Sequence, residues 1–288
     1  MKELIQYITT RLSDIYDTDE SKALAWWIVE ELTGRTRTQL QFDCKDTTFF
    51  LNTQIGDPKI EQIIARLRQM EPIQYIFGHT EWMGLDFLLS PATLIPRPET
   101  AELVEKTSNY PLGISDTPIR VLDIGTGSGC IAIALKKRHP EWQIAGMDIS
   151  ADAIEVAKEN AKRNNVEVDF YQCDILRDFI GENNQLKHFT VPYDIIVSNP
   201  PYIRESERIT MRANVLNYEP ASALFVPDDD PLLFYRRIVS LKPNYLFLEI
   251  NEAFAVEMQQ LLATHTYTNI QIYKDIYGKP RIICGRMA

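Results

Sequence analysis

One tetrapeptide has residue types suited to binding a polar group: Asn199-Pro200-Pro201-Tyr202. It follows the predicted strand 194–198 and therefore lies at a strand end. Proline fixes φ and carries no N–H, so the carbonyls of Asn199 and Pro200 are free of sheet pairing. We expect the Asn199 side-chain oxygen and the Pro200 carbonyl to accept the two hydrogens of a planar NH2 group, with Tyr202 against its face. The alternative is a rigid proline turn with a capping asparagine.

Paired acceptors of this kind suit transfer of a methyl group to nitrogen. The lone pair of an amide or an aromatic amine is delocalised, so the nitrogen is a weak nucleophile until acceptors hold its hydrogens. The same acceptors orient the nitrogen for in-line displacement. No strong base is needed, because the nitrogen loses its proton readily once it carries the methyl group and positive charge.

A glycine-rich turn nearer the N-terminus predicts a nucleotide-type cofactor. The apolar strand 121–124 runs into Gly125, Thr126, Gly127, Ser128 and Gly129, and a helical pattern follows. Glycines permit a tight turn and a close approach of the backbone to a ligand. A dinucleotide fingerprint would need a third glycine at position 130, where the chain has cysteine, so the spacing favours a cofactor without a pyrophosphate. S-adenosylmethionine is such a cofactor.

Acidic residues at the next strand ends fit the same ligand. Asp148 is about twenty residues beyond the glycines, where a carboxylate accepts hydrogen bonds from ribose hydroxyls. Asp174 is expected to accept from the adenine amino group, with Ile175 packing on the ring, and Asn199 is expected to contact the cofactor too. The alternatives are that Asp148 caps the following helix and that Asp174 merely ends a strand. Asp123 is expected to orient backbone groups or the amino end of the cofactor.

Strands and helices alternate from position 120 onward. The predicted strands are 121–124, 143–148, 166–172, 194–198, 245–250, 270–274 and 281–284, and a helix is predicted at 150–163 with Ser150 as its cap. Alternation of this kind predicts a mainly parallel sheet covered on both faces, with ligands beyond the carboxyl ends of the strands.

The N-terminal region has a helical period and no glycine-rich loop or acid–base pair. Apolar residues recur at helical spacing from position 4, a second run stops at Gly34, and a third helix begins at Asp57 and Pro58. A short hairpin is predicted around Gly84. The sequence therefore divides into a small helical domain at 1–77 with a binding or scaffolding role, which we expect to be substrate recognition, a hairpin linker at 78–98 and a catalytic α/β domain at 99–288.

The composition of the chain disfavours several classes of protein. The chain has 30 basic and 40 acidic side chains, a net charge of -10, which disfavours binding to nucleic acid through phosphate contacts. Its four cysteines are far apart, and its four histidines do not cluster near them, so neither a disulfide framework nor a metal site is expected. No apolar run approaches the roughly 20 residues that span a bilayer. We expect a soluble cytoplasmic protein.

The chain resembles the peptide chain release factor glutamine methyltransferase family (HemK/PrmC). The specific similarities are 94–100 (Leu-Ile-Pro-Arg-Pro-Glu-Thr), 199–203, Tyr218-Glu219-Pro220 and Ala223-Leu224, and the helical N-terminus also matches. The resemblance implies a Rossmann-like class I methyltransferase sheet with a small N-terminal helical domain. It also implies S-adenosylmethionine as cofactor and, as partners, class-I release factors methylated on the glutamine of a Gly-Gly-Gln motif.

Two other functions fit the same residues, and the chain departs from the family pattern at two loops. A nucleic-acid methyltransferase acting on an exocyclic base amine would use the same acceptor chemistry, and a non-catalytic binding protein could share the fold. Asp228 and its acidic neighbours replace a glycine-rich stretch, and Asn251 stands where the family pattern predicts glycine. Arg97 and Glu99 are interpreted as an ion pair that organises the linker, the alternative being direct contact with cofactor or substrate.

Overall fold

The computed structural model describes residues 1–42, 54–112, 117–180, 185–186 and 193–288, with the backbone alone at 179–180 and 185–186. The chain forms two compact units. The helical unit comprises Met1–Phe77 and Ala213–Tyr218, and the sheet unit comprises Gly78–Arg212 and Glu219–Ala288.

The α-helices, in chain order, are α1 (Lys2–Leu12), α2 (Thr18–Thr33), α3 (Arg37–Phe42), α4 (Pro58–Arg68), α5 (Ile73–Phe77), α6 (Pro98–Ser108), α7 (Cys130–Arg138), α8 (Ala151–Arg163), α9 (Ala213–Tyr218), α10 (Leu233–Val239) and α11 (Ala255–Thr264). The strands are β1 (His79–Trp82), β2 (Leu85–Leu88), β3 (Arg120–Ile124), β4 (Gln143–Asp148), β5 (Asp169–Gln172), β6 (Phe179–Ile180), β7 (Gln185–Leu186), β8 (Ile195–Ser198), β9 (Ile203–Arg204), β10 (Phe225–Val226), β11 (Tyr245–Glu249), β12 (Tyr267–Lys274) and β13 (Pro280–Met287).

The helical unit follows the periodicity of its sequence. The apolar face of α1 is buried together with residues from α2 and α4. Gly34 adopts a left-handed conformation, φ 64°, directly after α2. Asp57 caps α4 by accepting from Lys59 N, and Pro58 occupies the first turn. This helix ends at Arg68, two residues before Met70, whose positive φ of 66° a right-handed helix excludes.

A seven-stranded sheet has the order β12-β13-β11-β8-β3-β4-β5. The last five strands in this order run parallel, whereas β13 pairs antiparallel with both β11 and β12. The chain progresses outward in one direction from β3 to β5 and in the other from β8 to β11. The carboxyl ends of β3 and β8 therefore flank a topological switch point, where ligands bind in sheets of this kind.

Both faces of the sheet are covered, as the alternating sequence predicts. Val121 packs among residues of α6, α7 and α8 on one face, and Leu122 packs among residues of α10 and α11 on the other. The observed β4 matches its predicted bounds. The strand predicted at 166–172 begins only at Asp169, because its pairing with β4 starts at the Ala145–Asp169 pair. The C-terminal hairpin is longer than predicted.

The predicted hairpin is formed by β1 and β2. Its two-residue turn has positive φ at both Met83 and Gly84, as a type I′ turn requires. Asn160 of α8 accepts a hydrogen bond from Leu88 N and donates to both Leu88 O and Ser128 O. This hairpin lies within the sheet unit and is bonded through one side chain to the glycine-rich turn.

Cys130, Cys173 and Cys284 are buried and form no disulfide with one another, and Cys44 lies outside the described residues. Within the described ranges no helix is long and apolar enough to cross a membrane. Across those same ranges no group of three or more His, Cys, Asp or Glu side chains is arranged to hold a metal ion.

Candidate active site

A cavity of about 430 Å³ lies at the carboxyl ends of the central strands. Four strand ends contribute to it: Gly125 to Ser128 after β3, Asp148 to Ser150 after β4, Cys173 to Arg177 after β5 and Asn199 to Pro201 after β8. The remaining walls include Leu94, Pro96, Arg97, Thr100, Ser222, Ala223, Phe225 and Phe234. Most residues expected at the cofactor and acceptor sites thus line a single cavity.

The glycine-rich turn is held against β4. Gly125 N and Thr126 N both donate to Met147 O at 2.9 Å, and Gly127 N donates to Asp148 Oδ2 at 2.9 Å. The three glycines of the turn all have positive φ, between 54° and 80°. Glycine adopts this conformation without strain and has no Cβ to keep a ligand away from the backbone, which suits close approach of a ligand.

Asp148 forms one wall of the cavity. Its Oδ1 accepts from Ser150 N at 3.0 Å, while Ser150 itself caps α8 by accepting from Ala153 N. Asp148 therefore does not cap the helix. Burial raises the pKa of Asp148, and the N–H donors of Ser150 and Gly127 act in the opposite direction. A carboxylate oxygen accepts more than one hydrogen bond, so both oxygens keep capacity for hydroxyl donors.

Asp174 and Ile175 also line the cavity, after β5. Asp174 Oδ1 accepts from Leu176 N at 2.8 Å, which makes a tight turn at the strand end, and Ile175 is buried. An apolar side chain beside a carboxylate provides both a surface for a flat ring and an acceptor for its edge.

Asp123 is fully buried beneath the turn and does not line the cavity. Its Oδ2 accepts from Thr126 Oγ1 at 2.6 Å and from Ala132 N at 3.3 Å. Burial raises its pKa to about 7. The structure therefore supports its expected contact with backbone groups, through the first turn of α7.

Asn199, Pro200 and Pro201 line the cavity directly after β8. Ser198 Oγ donates to Ile124 O at 2.6 Å, which ties the end of β8 to the end of β3. Asn199 Nδ2 donates to Thr100 Oγ1 at 3.2 Å. The acceptor tetrapeptide and the glycine-rich turn are thus neighbours across the switch point, as the sheet order requires.

Two residues expected at the site do not line the cavity. The Tyr202 hydroxyl donates to Glu249 Oε1 at 2.9 Å, and its ring packs against the core on the α10 and α11 face. Gly129 lies behind the turn, where a Cβ would come within 3.1 Å of Ile133, Ala157 and Phe170. Its glycine is explained by close packing of α7 on its neighbours.

Arg97, Glu219 and Asn251 form contacts that the sequence did not predict. Arg97 forms an ion pair with Glu219, so the interpretation of an Arg97–Glu99 pair is wrong. The side chain of Glu219 is almost fully buried, and this pairing brings Arg97 to the cavity wall. Asn251 caps a short 3-10 helix and donates to Tyr202 O at 3.2 Å. A polar side chain therefore has a function where glycine was expected.

Sequence reasoning missed Thr100 and Glu249 as parts of the site. Thr100 lines the cavity at the start of α6, and its hydroxyl donates to Glu249 Oε2 at 2.8 Å. Thr100 belongs to the segment 94–100 that carries the family resemblance, which is the available signal. No comparable signal marked Glu249, because the residues that contact it are far away in sequence.

A mixed sheet with five parallel strands, a glycine-rich turn, an acid at the end of the next strand and a cavity at the switch point defines a class I S-adenosylmethionine-dependent methyltransferase. Residues 114–219 match the family model described as Methyltransferase small domain, and residues 3–78 match the PrmC N-terminal domain. The chain belongs to the release factor glutamine methyltransferase family.

Curated relatives show this membership. A release factor glutamine methyltransferase of Bacteroides thetaiotaomicron is 42% identical over 98% of this chain and 99% of its own. Another, from Flavobacterium psychrophilum, is 43% identical over 77% of this chain and 78% of its own. Among solved structures, the human Mettl16 catalytic domain in complex with an RNA hairpin superposes with a TM-score of 0.51 at 14% identity, covering 83% of this chain and 84% of that one. The last similarity concerns the fold alone.

The residues present fit the cofactor of this class, S-adenosylmethionine. Asp148 supplies a carboxylate for paired hydroxyls, the glycine turn offers backbone without side-chain bulk, and Ile175 offers an apolar surface beside the Asp174 carboxylate. Each of these groups has a counterpart in a ribose, a short amino-acid chain or an adenine ring.

Proposed function

We propose that this chain transfers a methyl group from S-adenosylmethionine to the side-chain amide nitrogen of the glutamine in the Gly-Gly-Gln motif of class-I peptide chain release factors. One observation carries the proposal: Asn199 and Pro200 line the same cavity as the glycine-rich turn. In this proposal, these two residues supply the acceptors for a planar NH2 group beside the cofactor. The printed names of the relatives point to the same substrate.

Separate parts of the cavity hold the cofactor. In this proposal Asp148 accepts from the ribose hydroxyls, Asp174 accepts from the adenine amino group, and Ile175 packs on the ring. Backbone groups from Gly125 to Gly129, including Thr126, Gly127 and Ser128, surround the amino-acid end, and Asn199 closes the cavity beside it. Arg97 is held at the wall by Glu219 and leaves guanidinium N–H groups for a carboxylate.

The acceptor residues activate and aim the nitrogen. Bound S-adenosylmethionine supplies an electrophilic methyl group on a sulfonium. The Asn199 side-chain oxygen and the Pro200 carbonyl hold the two hydrogens of the amide, which raises electron density on nitrogen and directs its lone pair. The nitrogen held by these acceptors would take up the methyl group that the cofactor supplies, and its extra proton would pass to water. Pro201 and Tyr202 fix the backbone that follows.

The helical unit has a different task in this proposal. It recognises the folded release factor, because one glutamine in a short loop cannot distinguish the correct protein from others. The functional division is a recognition domain at 1–77, a hairpin segment at 78–98 and a catalytic domain at 99–288.

Nucleic acid and membranes are not partners in this proposal, and the reaction takes place in the cytoplasm, where release factors act. The net charge of -10 opposes the phosphate contacts that a nucleic-acid substrate needs. An exocyclic base amine is the competing acceptor, since it has the same planar geometry.

A single comparison tests the substrate. Labelled S-adenosylmethionine is offered with a release factor, the same factor carrying Gln→Ala in its Gly-Gly-Gln motif, RNA or DNA. We expect label in the unmodified factor alone, located by mass spectrometry on the glutamine amide. Label in nucleic acid, or equal label in the Gln→Ala factor, would reject the proposed substrate.

A further inference from the structure

A carboxylate outside the cavity forms hydrogen bonds that reach the acceptor site. Glu249 ends β11, next to β8, and only 2% of its surface is exposed. A buried carboxylate is costly unless hydrogen bonds and nearby charge compensate the lost water. The contacts of this side chain therefore indicate what it does.

Three hydroxyl groups hold Glu249. Thr100 Oγ1 donates to Oε2 at 2.8 Å, and the Tyr202 hydroxyl donates to Oε1 at 2.9 Å. The Tyr235 hydroxyl donates to the main-chain oxygen of Glu249 at 2.9 Å. Burial raises the pKa of Glu249, whereas the hydrogen bonds from Thr100 and Tyr202 and the charge of the half-buried Arg281 on β13 favour its charged form.

These contacts give the network a direction. A carboxylate accepts hydrogen bonds and donates none, so it takes the single hydroxyl hydrogen of Thr100. Thr100 Oγ1 is then left as an acceptor, and the amide of Asn199 is 3.2 Å away. Only the NH2 group of Asn199 satisfies that acceptor, because the reverse orientation would place two oxygens against each other.

The direction matters for the substrate. With its NH2 group held by Thr100, Asn199 offers its Oδ1 as an acceptor for an incoming NH2 hydrogen. A flipped amide would present N–H groups to the N–H groups of the substrate and would remove the attraction that aims the nitrogen.

We propose that Glu249 is a positioning residue for methyl transfer, which acts through Thr100 to fix the orientation of the Asn199 amide and through Tyr202 to fix the chain that follows it. This inference rests on the proposed acceptor function of Asn199. It does not depend on whether the acceptor belongs to a glutamine or to a base.

The main test uses two substitutions at Thr100. Thr100→Val keeps the shape and removes the hydroxyl, whereas Thr100→Ser keeps the hydroxyl. We expect Thr100→Val to lower kcat roughly 10- to 100-fold, less than loss of the acceptor itself, with an unchanged affinity for S-adenosylmethionine. Thr100→Ser should restore most of the rate. Equal rates for Thr100→Val and the unmodified protein would overturn the proposal.

Thr107→Val is the matched control. Thr107 is a buried threonine on the same helix, and its hydroxyl donates to Leu103 O within α6. The same chemical change there should cost stability without lowering kcat. An equal fall in kcat for both Val variants would mean that the Thr100 effect is general damage to the helix.

A double-mutant cycle shows whether Thr100 affects the rate through Asn199. If Thr100 acts through Asn199, adding Thr100→Val to Asn199→Ala should lower the single-turnover rate no further. Multiplying losses would show that Thr100 acts independently of Asn199 and would overturn the proposal. Glu249→Gln disrupts the same network through its added N–H donors, and the part of its rate loss that passes through Thr100 should likewise vanish in Asn199→Ala.

The outcomes separate this inference from the proposed substrate. Methylation of the release factor by the unmodified protein tests the substrate alone. If RNA or DNA is methylated instead, the same cycle is measured on that acceptor, and the expected ratios are unchanged. Thermal unfolding of each variant identifies any that fail to fold. If Thr100→Val does not fold, Glu249→Gln is used in the same cycle, and the reverse.

Discussion

Gly127 donates its backbone N–H to Asp148 Oδ2 at 2.9 Å, although 21 positions separate the two residues. The acid expected to bind ribose therefore also holds the turn that approaches the cofactor. This side chain links the end of β3 to the end of β4, in addition to the backbone hydrogen bonds from Gly125 N and Thr126 N to Met147 O.

Asp148→Ala should weaken binding of S-adenosylmethionine and leave the protein folded. Hydrogen bonds to a charged group contribute about 1.5 to 3 kcal/mol, so the dissociation constant should rise roughly 10- to 150-fold. Calorimetric titration measures this. Asp152→Ala, an exposed acid on the adjoining helix, is the control and should leave the affinity unchanged. An unaltered affinity for Asp148→Ala would assign Asp148 to the turn alone.

Asn199→Ala should mainly lower turnover. The lost acceptor positions the amide and stabilises charge on its nitrogen, so a fall of roughly 100- to 1000-fold in kcat is expected. Steady-state kinetics on a release factor provide the measurement, with Asn109→Ala at the exposed end of α6 as control. A normal turnover number would remove Asn199 from the chemistry.

Gly127 and Gly129 should respond differently to alanine. Both have positive φ, which costs a residue with a Cβ about 1 to 2 kcal/mol. A Cβ on Gly127 meets open space, whereas one on Gly129 lies 3.0 Å from Ile133 Cδ1 and 3.1 Å from Ala157 Cβ. Gly129→Ala should therefore lower the free energy of unfolding by about 1 to 3 kcal/mol more than Gly127→Ala. Urea denaturation of the two variants checks this order, which equal losses would contradict.

Asp123→Asn should change how stability depends on pH. Burial raises the pKa of Asp123 from 3.8 to about 7 in the folded protein. Its contribution to stability is therefore fully present below 3.8 and is lost as pH rises toward about 7. The free energy of unfolding of Asp123→Asn, relative to the unmodified protein, should rise with pH across this window, by up to about 1.4 kcal/mol per pH unit, and then level off.

Urea denaturation between pH 5 and pH 9 gives the difference for Asp123→Asn. Asp228→Asn is the control, because hydrogen bonds from Ser206 lower the pKa of that exposed acid. Its titration falls below the measured range. Parallel curves for Asp123→Asn and the unmodified protein would mean that the buried carboxyl does not titrate there.

Removal of the N-terminal helices should separate recognition from chemistry. A protein that begins at Gly78 should still bind S-adenosylmethionine, and it should lose much of its kcat/KM toward intact release factor. Its weak activity on a short Gly-Gly-Gln peptide should persist, because the peptide does not need the missing surface. Equal losses on both substrates would assign the helices a structural role.

Removal of the N-terminal helices also exposes the segment Ala213–Tyr218, so the truncated protein needs a control for aggregation. Ala213–Tyr218 belongs to the helical unit, where the Tyr218 hydroxyl donates to Gln69 O. Truncation leaves this segment without that partner. Thermal unfolding and light scattering of the truncated protein, with and without cofactor, show whether aggregation rather than lost recognition explains a low rate.

Local patterns were sufficient to predict the sheet and the cofactor turn. Apolar runs located the central strands, the Ser150 cap marked α8, and glycine spacing located the loop after β3. Long-range pairings were not predictable from these patterns. Arg97 pairs with Glu219 and Thr100 with Glu249, across 122 and 149 positions, because the fold alone decides which strand ends and helix starts meet. Tyr202 turned toward Glu249 for the same reason.

The helical unit is built from two stretches of chain that are far apart in sequence, and this affects its folding during synthesis. The chain completes α1 to α5 early, yet the last segment of that unit, Ala213–Tyr218, is made only after β3, β4, β5 and β8. As the ribosome releases the chain from its N-terminus, the early helices must persist without their final segment while the central strands emerge. The order of translation therefore differs from the order in which the two units can be completed, and slow passage through positions 78–212 would prolong the exposure of an unfinished helical unit to chaperones and proteases.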